Sequence, residues 1–219
     1  MIKESTRSLY LLLLISFPLM VFGQYTETDW KERDLWMKTE FLLKMVGVEQ
    51  GDRVADIGCH EGYLSIHLAK KVSEGGRVYA VDVRSDRLEK LRENAHKRSL
   101  GNIVTILGDY DDPKLPQREL DFVFIMDTYH EMDAHKEILQ HVKNALKPGG
   151  KVMILEKLKE WVRDTSRETQ VASHSLAPNY VREELKQAGF TIVSEIDDHG
   201  KWERENDKQM WVIVAQKPE

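Results

Sequence analysis

The chain has 219 residues, of which 41% are hydrophobic, and its 32 basic and 37 acidic side chains give a formal net charge of -5. This length and composition suit one well-packed domain and exclude a disordered or fibrous protein. An acidic chain whose Lys and Arg are interspersed with Asp and Glu is a poor partner for nucleic acid, because binding phosphates needs clustered positive charge. Cys59 is the single cysteine, so neither an intramolecular disulfide nor a cysteine metal cluster is expected.

The N-terminus has the pattern of an export signal. Lys3 and Arg7 precede an apolar run over 9–22 that contains Pro18. A membrane-spanning helix needs about 20 apolar residues, more than this run supplies. We therefore predict a cleaved signal peptide over 1–23 and an exported, periplasmic or secreted, mature chain, with an uncleaved membrane anchor as the alternative. Contact with a membrane is expected only through this segment.

The mature chain, 24–219, is predicted to be one domain of alternating strands and helices. A capping helix over about 28–46 comes first. Short, β-branched, apolar segments then alternate with amphipathic ones, as in a parallel sheet covered on both faces by helices. The predicted strands are 53–58, 77–83, 103–109, 120–128 and 151–158, and the predicted helices between them are 63–72, 86–98 and 134–146.

The C-terminal part departs from this alternation. A helix over 179–188 is followed by two strands, 190–196 and 210–216, with only a polar segment between them. Because that segment is too short for a crossover helix, the two strands should pair antiparallel at one edge of the sheet. The expected fold is a doubly wound, Rossmann-like α/β domain with a mostly parallel seven-stranded sheet and an antiparallel C-terminal hairpin.

Acidic residues close four of the predicted strands, where a doubly wound sheet binds its ligands. They are Asp56, Asp82, Asp109 and Asp127. Asp82 is placed to accept hydrogen bonds from a ribose, with a helix cap as the alternative. Asp109 is placed to accept from an adenine amine, with a plain turn residue as the alternative.

The loop after the first strand contains Gly58 and Gly62. Glycine allows a tight turn and a close approach of the backbone to a ligand. The G-x-x-x-G spacing differs from the G-x-G-x-x-G fingerprint of dinucleotide-binding proteins, so an NAD-dependent oxidoreductase is disfavoured.

Taken in order, the segments DIGCHEGYLS, AVDV, GDYDDPKLP, FVFIMDTYHE and LKPGGKVMILE resemble the successive motifs of class I S-adenosylmethionine-dependent methyltransferases. The resemblance covers about residues 30–217. It implies that S-adenosyl-L-methionine is the cofactor and assigns it to residues at the strand ends. Asp56, Gly58 and Gly62 would hold the methionine end, Asp82 the ribose, Asp109 and Tyr110 the adenine, and Asp127 would border the transferred methyl group.

His60 departs from the family pattern, because it stands at the middle glycine of the G-x-G-x-G loop. The resemblance places this residue beside the cofactor's aminocarboxypropyl group. Two outcomes are open: the backbone turns the imidazole outward, or the imidazole contacts the cofactor or the substrate.

The segment DTYHEM supplies the candidate catalytic residues Tyr129, His130 and Glu131 beside Asp127 at the expected mouth of the site. His130 is the candidate general base because histidine titrates near neutral pH, and a solvent-facing loop histidine is the alternative. His130 and His135 do not form a zinc motif, since a spacing of five residues turns them apart on a helix. No metal is expected.

Substrate-binding residues are expected after the fifth strand, where related enzymes place them. The candidates are Glu156, Arg163, His174 and Tyr180, and a solvated charged surface is the alternative reading of this region. The favoured function is methyl transfer to a small-molecule acceptor. The alternative is a non-catalytic exported binding module that uses the same fold for a nucleoside-like or lipid ligand. A chain with one cysteine lacks the thiols that arsenite methyltransferases use.

Overall fold

Seven strands form one mixed sheet in the computed structural model, which describes residues 26–219. The predicted signal peptide lies outside the described residues. The order across the sheet is β3-β2-β1-β4-β5-β7-β6. The strands are β1 (Arg53–Ile57), β2 (Arg77–Asp82), β3 (Ile103–Leu107), β4 (Leu120–Met126), β5 (Leu146–Lys159), β6 (Thr191–Lys201) and β7 (Lys208–Gln216).

Strands β1 to β5 run parallel, whereas β7 pairs antiparallel with both β5 and β6. The predicted doubly wound sheet with an antiparallel C-terminal hairpin at its edge is therefore confirmed. β1 and β4 are neighbours in the middle of the sheet, and the direction in which the chain adds strands reverses between them. The crevice at the carboxyl ends of these two strands is the place where open α/β sheets bind ligands.

Helices cover both faces of the sheet, and successive strand residues enter opposite cores. Val54 belongs to one buried cluster and Ala55 to the other, and Met153 and Ile154 divide in the same way. This explains why the strands are apolar on both faces. The helices are α1 (Trp30–Met37), α2 (Thr39–Val46), α3 (Tyr63–Val72), α4 (Ser85–His96), α5 (His135–Ala145), α6 (Arg167–Ala172) and α7 (Pro178–Gln187).

The N-terminal cap is two helices rather than the single predicted helix over 28–46. Lys38 adopts a left-handed conformation with φ 52° and ψ 46°, which separates α1 from α2. The break allows Met37 to be fully buried, while the Thr39 hydroxyl lies 2.9 Å from the Tyr63 hydroxyl of α3. Because no glycine or proline marks the break, periodicity alone did not predict it.

The C-terminal hairpin is longer than predicted and reaches back to the N-terminal cap. Register shifts interrupt the pairing of β6 with β7, one of them next to Gly200, which has φ 118°. Beyond it, the buried Trp202 packs on Trp36 with ring centroids 4.8 Å apart. The structure also adds α6, which the sequence did not predict. Among residues 26–219, no helix combines the length and the apolar character that crossing a membrane requires.

Candidate active site

The loop between β1 and α3 requires glycine at both predicted positions. Gly58 has φ 77°, and a Cβ built there would lie 2.3 Å from Cγ2 of Thr128. Gly62 has φ 97°, and its Cβ would lie 2.7 Å from Cγ of Leu91. Left-handed backbone and close approach of neighbouring side chains both select glycine. The loop is therefore fixed by backbone geometry.

A cavity of about 520 Å³ opens at the carboxyl ends of β1, β2 and β4. Seven of the eight predicted cofactor residues line it: Asp56, Gly58, His60, Asp82, Asp109, Tyr110 and Asp127. Gly62 is the residue before α3 and does not itself line the cavity. The sequence prediction thus brings these residues to one place, at the topological switch point.

His60 stands at the position of the expected glycine and has a left-handed backbone conformation. Its φ is 50°, in the left-handed region that glycine also adopts, and its backbone N donates to Oδ2 of Asp82 at 2.9 Å. Burial, together with the positive charges of Arg87 and Arg33, lowers the pKa of His60 to about 4. His60 lines the cavity, and its imidazole is neutral at pH 7.

Asp56 lies at the buried end of the cavity. Ser65 donates its hydroxyl to Oδ2 of Asp56 at 2.6 Å. Burial raises the pKa of Asp56 from its ordinary value of 3.8 to about 6, against the opposing effects of Ser65 and Arg33. The carboxylate is therefore ionised at neutral pH at an energetic cost.

Asp82 braces two loops with one carboxylate. Besides the backbone N of His60, it accepts a hydrogen bond at Oδ1 from the backbone N of Arg84 at 2.9 Å. Arg84 is the residue before α4, so the capping alternative describes part of what this side chain does. Asp82 also lines the cavity, and its carboxylate oxygens have further lone pairs for hydroxyl donors.

Asp109 and Tyr110 lie at the open end. Asp109 forms an ion pair with Lys114 at 3.0 Å, and Tyr110 is 80% exposed. A flat aromatic side chain at the rim provides a surface against which a base can stack.

Arg33 is a cavity residue that sequence reasoning missed. It extends from α1 into the cavity, and its guanidinium lies 4.2 Å from the ring centroid of Tyr63 and 5.3 Å from that of Trp202. Arginine between aromatic faces is a favourable cation–π arrangement. The only sequence signal was its place among the aromatic residues of α1, which resembles an ordinary capping helix.

Asp127 follows β4 with φ 53° and is buried at the cavity wall. Its Oδ1 pairs with Nζ of Lys157, a buried residue of β5 that also lies 4.6 Å from the ring centroid of Trp202. Sequence analysis placed the carboxylate correctly at the strand end but did not anticipate its partner, which is thirty residues later.

His130 lies behind the cavity wall and is buried, unlike the solvent-facing alternative. Its Nδ1 is 2.9 Å from Oε2 of Glu156, and its backbone N donates to Oε1 of the same carboxylate at 3.1 Å. Burial alone would lower the pKa of His130, but the charge and hydrogen bond of Glu156 raise it above the ordinary value. Glu156 is fully buried, so it orients His130 and does not itself line the cavity.

Tyr129 and Tyr180 are not at the cavity, contrary to their predicted positions. Tyr129 is fully buried in the core on the other face, where its hydroxyl donates to Glu184 of α7 at 2.9 Å. Tyr180 packs against the same core and donates to the carbonyl of Thr165 at 3.3 Å. Tyr129 lies in the short 3-10 turn at 129–131, whereas Tyr180 lies on α7, and both side chains face the core of the other face.

The remaining candidates divide in the same way. Glu131 lines the cavity. His174 is exposed, and its Nδ1 lies 3.9 Å from Oε1 of Glu131. Arg163 instead forms a surface ion pair with Glu160 at 2.7 Å. His135 turns to Glu184 at 3.3 Å, away from His130, so the two do not converge.

Comparison with known proteins agrees with this geometry. Residues 48–207 match the family described as "Methyltransferase domain". The chain belongs to this family. The ubiquinone/menaquinone biosynthesis C-methyltransferase UbiE of Azotobacter vinelandii is 28% identical over 123 residues, which cover 56% of this chain and 48% of that protein. The S-adenosyl-L-methionine-dependent Diels-Alderase iccD of Talaromyces variabilis is 28% identical over 142 residues, 62% of this chain and 48% of that protein.

A solved structure shows the same architecture. The SAM-dependent methyltransferase of Aquifex aeolicus superposes with a TM-score of 0.72 at 24% identity, covering 87% of this chain and 97% of that one. The fold is that of class I methyltransferases, and the predicted family is confirmed. The chain spans about half the length of the curated relatives it matches.

Proposed function

We propose that this chain transfers a methyl group from S-adenosylmethionine to a small-molecule acceptor. The observation that carries the proposal is the cavity at the switch point, where Gly58 excludes a side chain and Asp56 and Asp82 close adjacent strands. Similarity to methyltransferases supports the proposal. One of these relatives, UbiE, is named for ubiquinone and menaquinone biosynthesis.

The residues of the cavity fit S-adenosylmethionine. Gly58 leaves room for the methionine end, Asp82 offers two oxygens for ribose hydroxyls, and Arg33 provides a buried cation for a carboxylate. The cofactor supplies an electrophilic methyl group on a cationic sulfur. His60 is neutral because its pKa is about 4, so the residue that replaces glycine adds no positive charge to the cavity that would hold this cationic group.

On the acceptor side, we assign His130 to activation of the acceptor, because its Nε2 lies 3.8 Å from Oε1 of Glu131, a residue that lines the cavity. Because a carboxylate only accepts hydrogen bonds, Glu156 fixes the proton on Nδ1 of His130 and leaves Nε2 as the reactive nitrogen. Asp127, which lines the cavity three residues before His130, is buried and paired with the buried Lys157. This arrangement suits an acceptor that must lose a proton, such as a phenol, an enol or an amine.

Calorimetric titration of the purified protein with S-adenosylhomocysteine tests the proposal. We expect saturable binding that weakens at least tenfold in Asp82→Asn, because one of two acceptor oxygens becomes a donor. Asp164→Asn, which changes an exposed carboxylate outside the cavity, is the matched control. No binding to the wild-type protein would refute the function.

A second function is favoured by one comparison. The Talaromyces relative is named for a Diels–Alder reaction that depends on the same cofactor, so this family accommodates cofactor use in other reactions. Binding of S-adenosylhomocysteine without methyl transfer to any member of a panel of phenols, quinols and amines would favour a non-methylating role, including the binding module.

Export of the chain is a further part of the proposal and depends on the charge pattern of the first 23 residues. A reporter enzyme that is active only outside the cytoplasm, fused after Glu219, should be active. A reporter active only inside would contradict export.

A further inference from the structure

Three metal-ligating side chains meet beside the cavity, and the reaction as proposed so far uses only one of them. We call His130, Glu131 and His174 the rim cluster. One ligand atom from each lies within 4.8 Å of the other two. Nε2 of His130 is 3.8 Å from Oε1 of Glu131, and Nδ1 of His174 is 3.9 Å from that same oxygen. Glu131 lines the cavity, so the cluster borders the acceptor.

The second observation is the buried carboxylate behind His130. Glu156 holds Nδ1 of His130 at 2.9 Å and is fully buried. A carboxylate on the far nitrogen of a histidine fixes the tautomer, directs the near nitrogen outward and increases its basicity, as is common behind metal-binding histidines. Here the near nitrogen, Nε2, is directed at Glu131 and His174.

The chemistry of the set favours a divalent transition metal. Two imidazole nitrogens and one carboxylate leave a fourth position open, which is the pattern of catalytic zinc sites. Tetrahedral Zn²⁺ places its ligand atoms about 3.4 Å apart, so the cluster must contract slightly. Glu131 and His174 can move, because their side chains are 62% and 71% exposed, whereas His130 is fixed at 2%.

A neighbouring set of three residues is a poorer site. Asp127, His130 and Glu156 also come within 4.8 Å of one another and are all buried. However, Lys157 already neutralises Asp127, and the hydrogen bond to His130 occupies Glu156. A cation there would have to displace a buried ammonium group, which is costly.

We propose that the rim cluster binds one Zn²⁺ or a similar divalent ion through His130, Glu131 and His174, with the open position facing the acceptor. The site differs from the rejected pair of His130 and His135 and replaces the expectation that no metal binds. The inference rests on the proposed function for its purpose and changes one role in it: with the ion bound, Nε2 of His130 is a ligand and no longer a base. The ion would then lower the pKa of an acceptor oxygen, phenolic or enolic, that takes the open position.

The test uses the full chain without an affinity tag, treated with a chelator and dialysed. Zn²⁺ is titrated in competition with a chromophoric chelator, and Co²⁺ is added in parallel to read coordination from its visible absorption. We expect one ion per chain and intense bands of four-coordinate Co²⁺. His174→Ala should weaken Zn²⁺ binding at least tenfold, and Glu156→Gln by about 10- to 100-fold.

His141→Ala is the matched control, since His141 is a half-exposed histidine 3.5 Å from Asp112, outside the cluster. It should leave Zn²⁺ binding unchanged. Less than one ion per chain, or equal binding by wild type and His174→Ala, would overturn the inference. S-adenosylhomocysteine is titrated into the same samples. If S-adenosylhomocysteine binds and Zn²⁺ does not, the metal site alone is refuted. If Zn²⁺ binds and S-adenosylhomocysteine does not, the methyltransferase function alone is refuted.

Discussion

The cofactor side of the cavity and its acceptor side are held by different interactions. On the cofactor side, the loops after β1 and β2 are fixed by left-handed backbone at Gly58 and by backbone hydrogen bonds to Asp82. On the acceptor side, two buried pairs connect the segment after β4 to β5: the ion pair of Asp127 with Lys157 and the hydrogen-bonded pair of His130 with Glu156. The first design depends on local conformation, whereas the second depends on charges that are costly to bury unless they remain paired.

The largest effect is expected at Lys157. Lys157→Met leaves Asp127 buried without its ammonium partner, which should lower the free energy of unfolding by about 3–5 kcal/mol. Urea unfolding measures this. The double variant with Asp127→Asn should recover most of the loss, because no charge is then left unpaired. Lys90→Met, which breaks the exposed pair with Glu93, should cost far less, because solvent screens exposed charges. If Lys157→Met and Lys90→Met lower the free energy of unfolding equally, burial does not make the pair of Asp127 and Lys157 more important than an exposed pair.

Removal of the imidazole tests the chemistry of the acceptor side. His130→Ala should reduce methyl transfer about 100- to 10,000-fold, the usual range for loss of an acid–base group. Affinity for S-adenosylhomocysteine should stay within about twofold, since His130 does not line the cavity. Tyr129→Phe is the control: the hydroxyl contacts Glu184 on the other face, so turnover should be retained. Loss of turnover in Tyr129→Phe would restore the sequence-based assignment.

Sequence patterns predicted the cofactor side well because its determinants are local. A strand end, a glycine spacing and an acidic residue lie within a few positions of each other, and parallel pairing brings such ends together. The acceptor side was predicted only in part. Lys157 is thirty residues from Asp127, and its charge within an apolar strand gave no sign of its partner. Arg33, Tyr129 and Tyr180 were misjudged or missed because side-chain direction in short helices and 3-10 turns is set by tertiary packing.

On the cofactor side, Asp56 should make stability depend on pH. Its pKa in the folded chain, about 6, exceeds its ordinary value of 3.8 because of burial. The native state then holds the proton more tightly than the unfolded state, so Asp56 stabilises the fold at low pH and that contribution is lost as pH rises towards 6. Besides burial, three neighbouring groups change the pKa of Asp56: Ser65 and Arg33 lower it, and Asp82 raises it.

The free energy of unfolding of Asp56→Asn, taken relative to wild type at the same pH, should therefore be about 2 kcal/mol higher at pH 7.5 than at pH 4.5. Urea unfolding without cofactor at the two pH values measures the difference. Asp164→Asn, at an exposed position, should show no such change. If the stability difference between Asp56→Asn and wild type is the same at both pH values, burial does not raise the pKa of Asp56.

The smallest effect is expected at His60, although this residue departs most from the family pattern. Its φ of 50° is one that glycine adopts readily, and its hydrogen bond to Asp82 comes from the backbone. His60→Gly removes left-handed strain but adds freedom to the unfolded chain, so stability should change by less than about 1 kcal/mol. Affinity for S-adenosylhomocysteine should change less than tenfold, because the loop keeps its course. A larger loss would show that the imidazole itself contacts the ligand, and the cofactor side would then depend on a side chain as the acceptor side does.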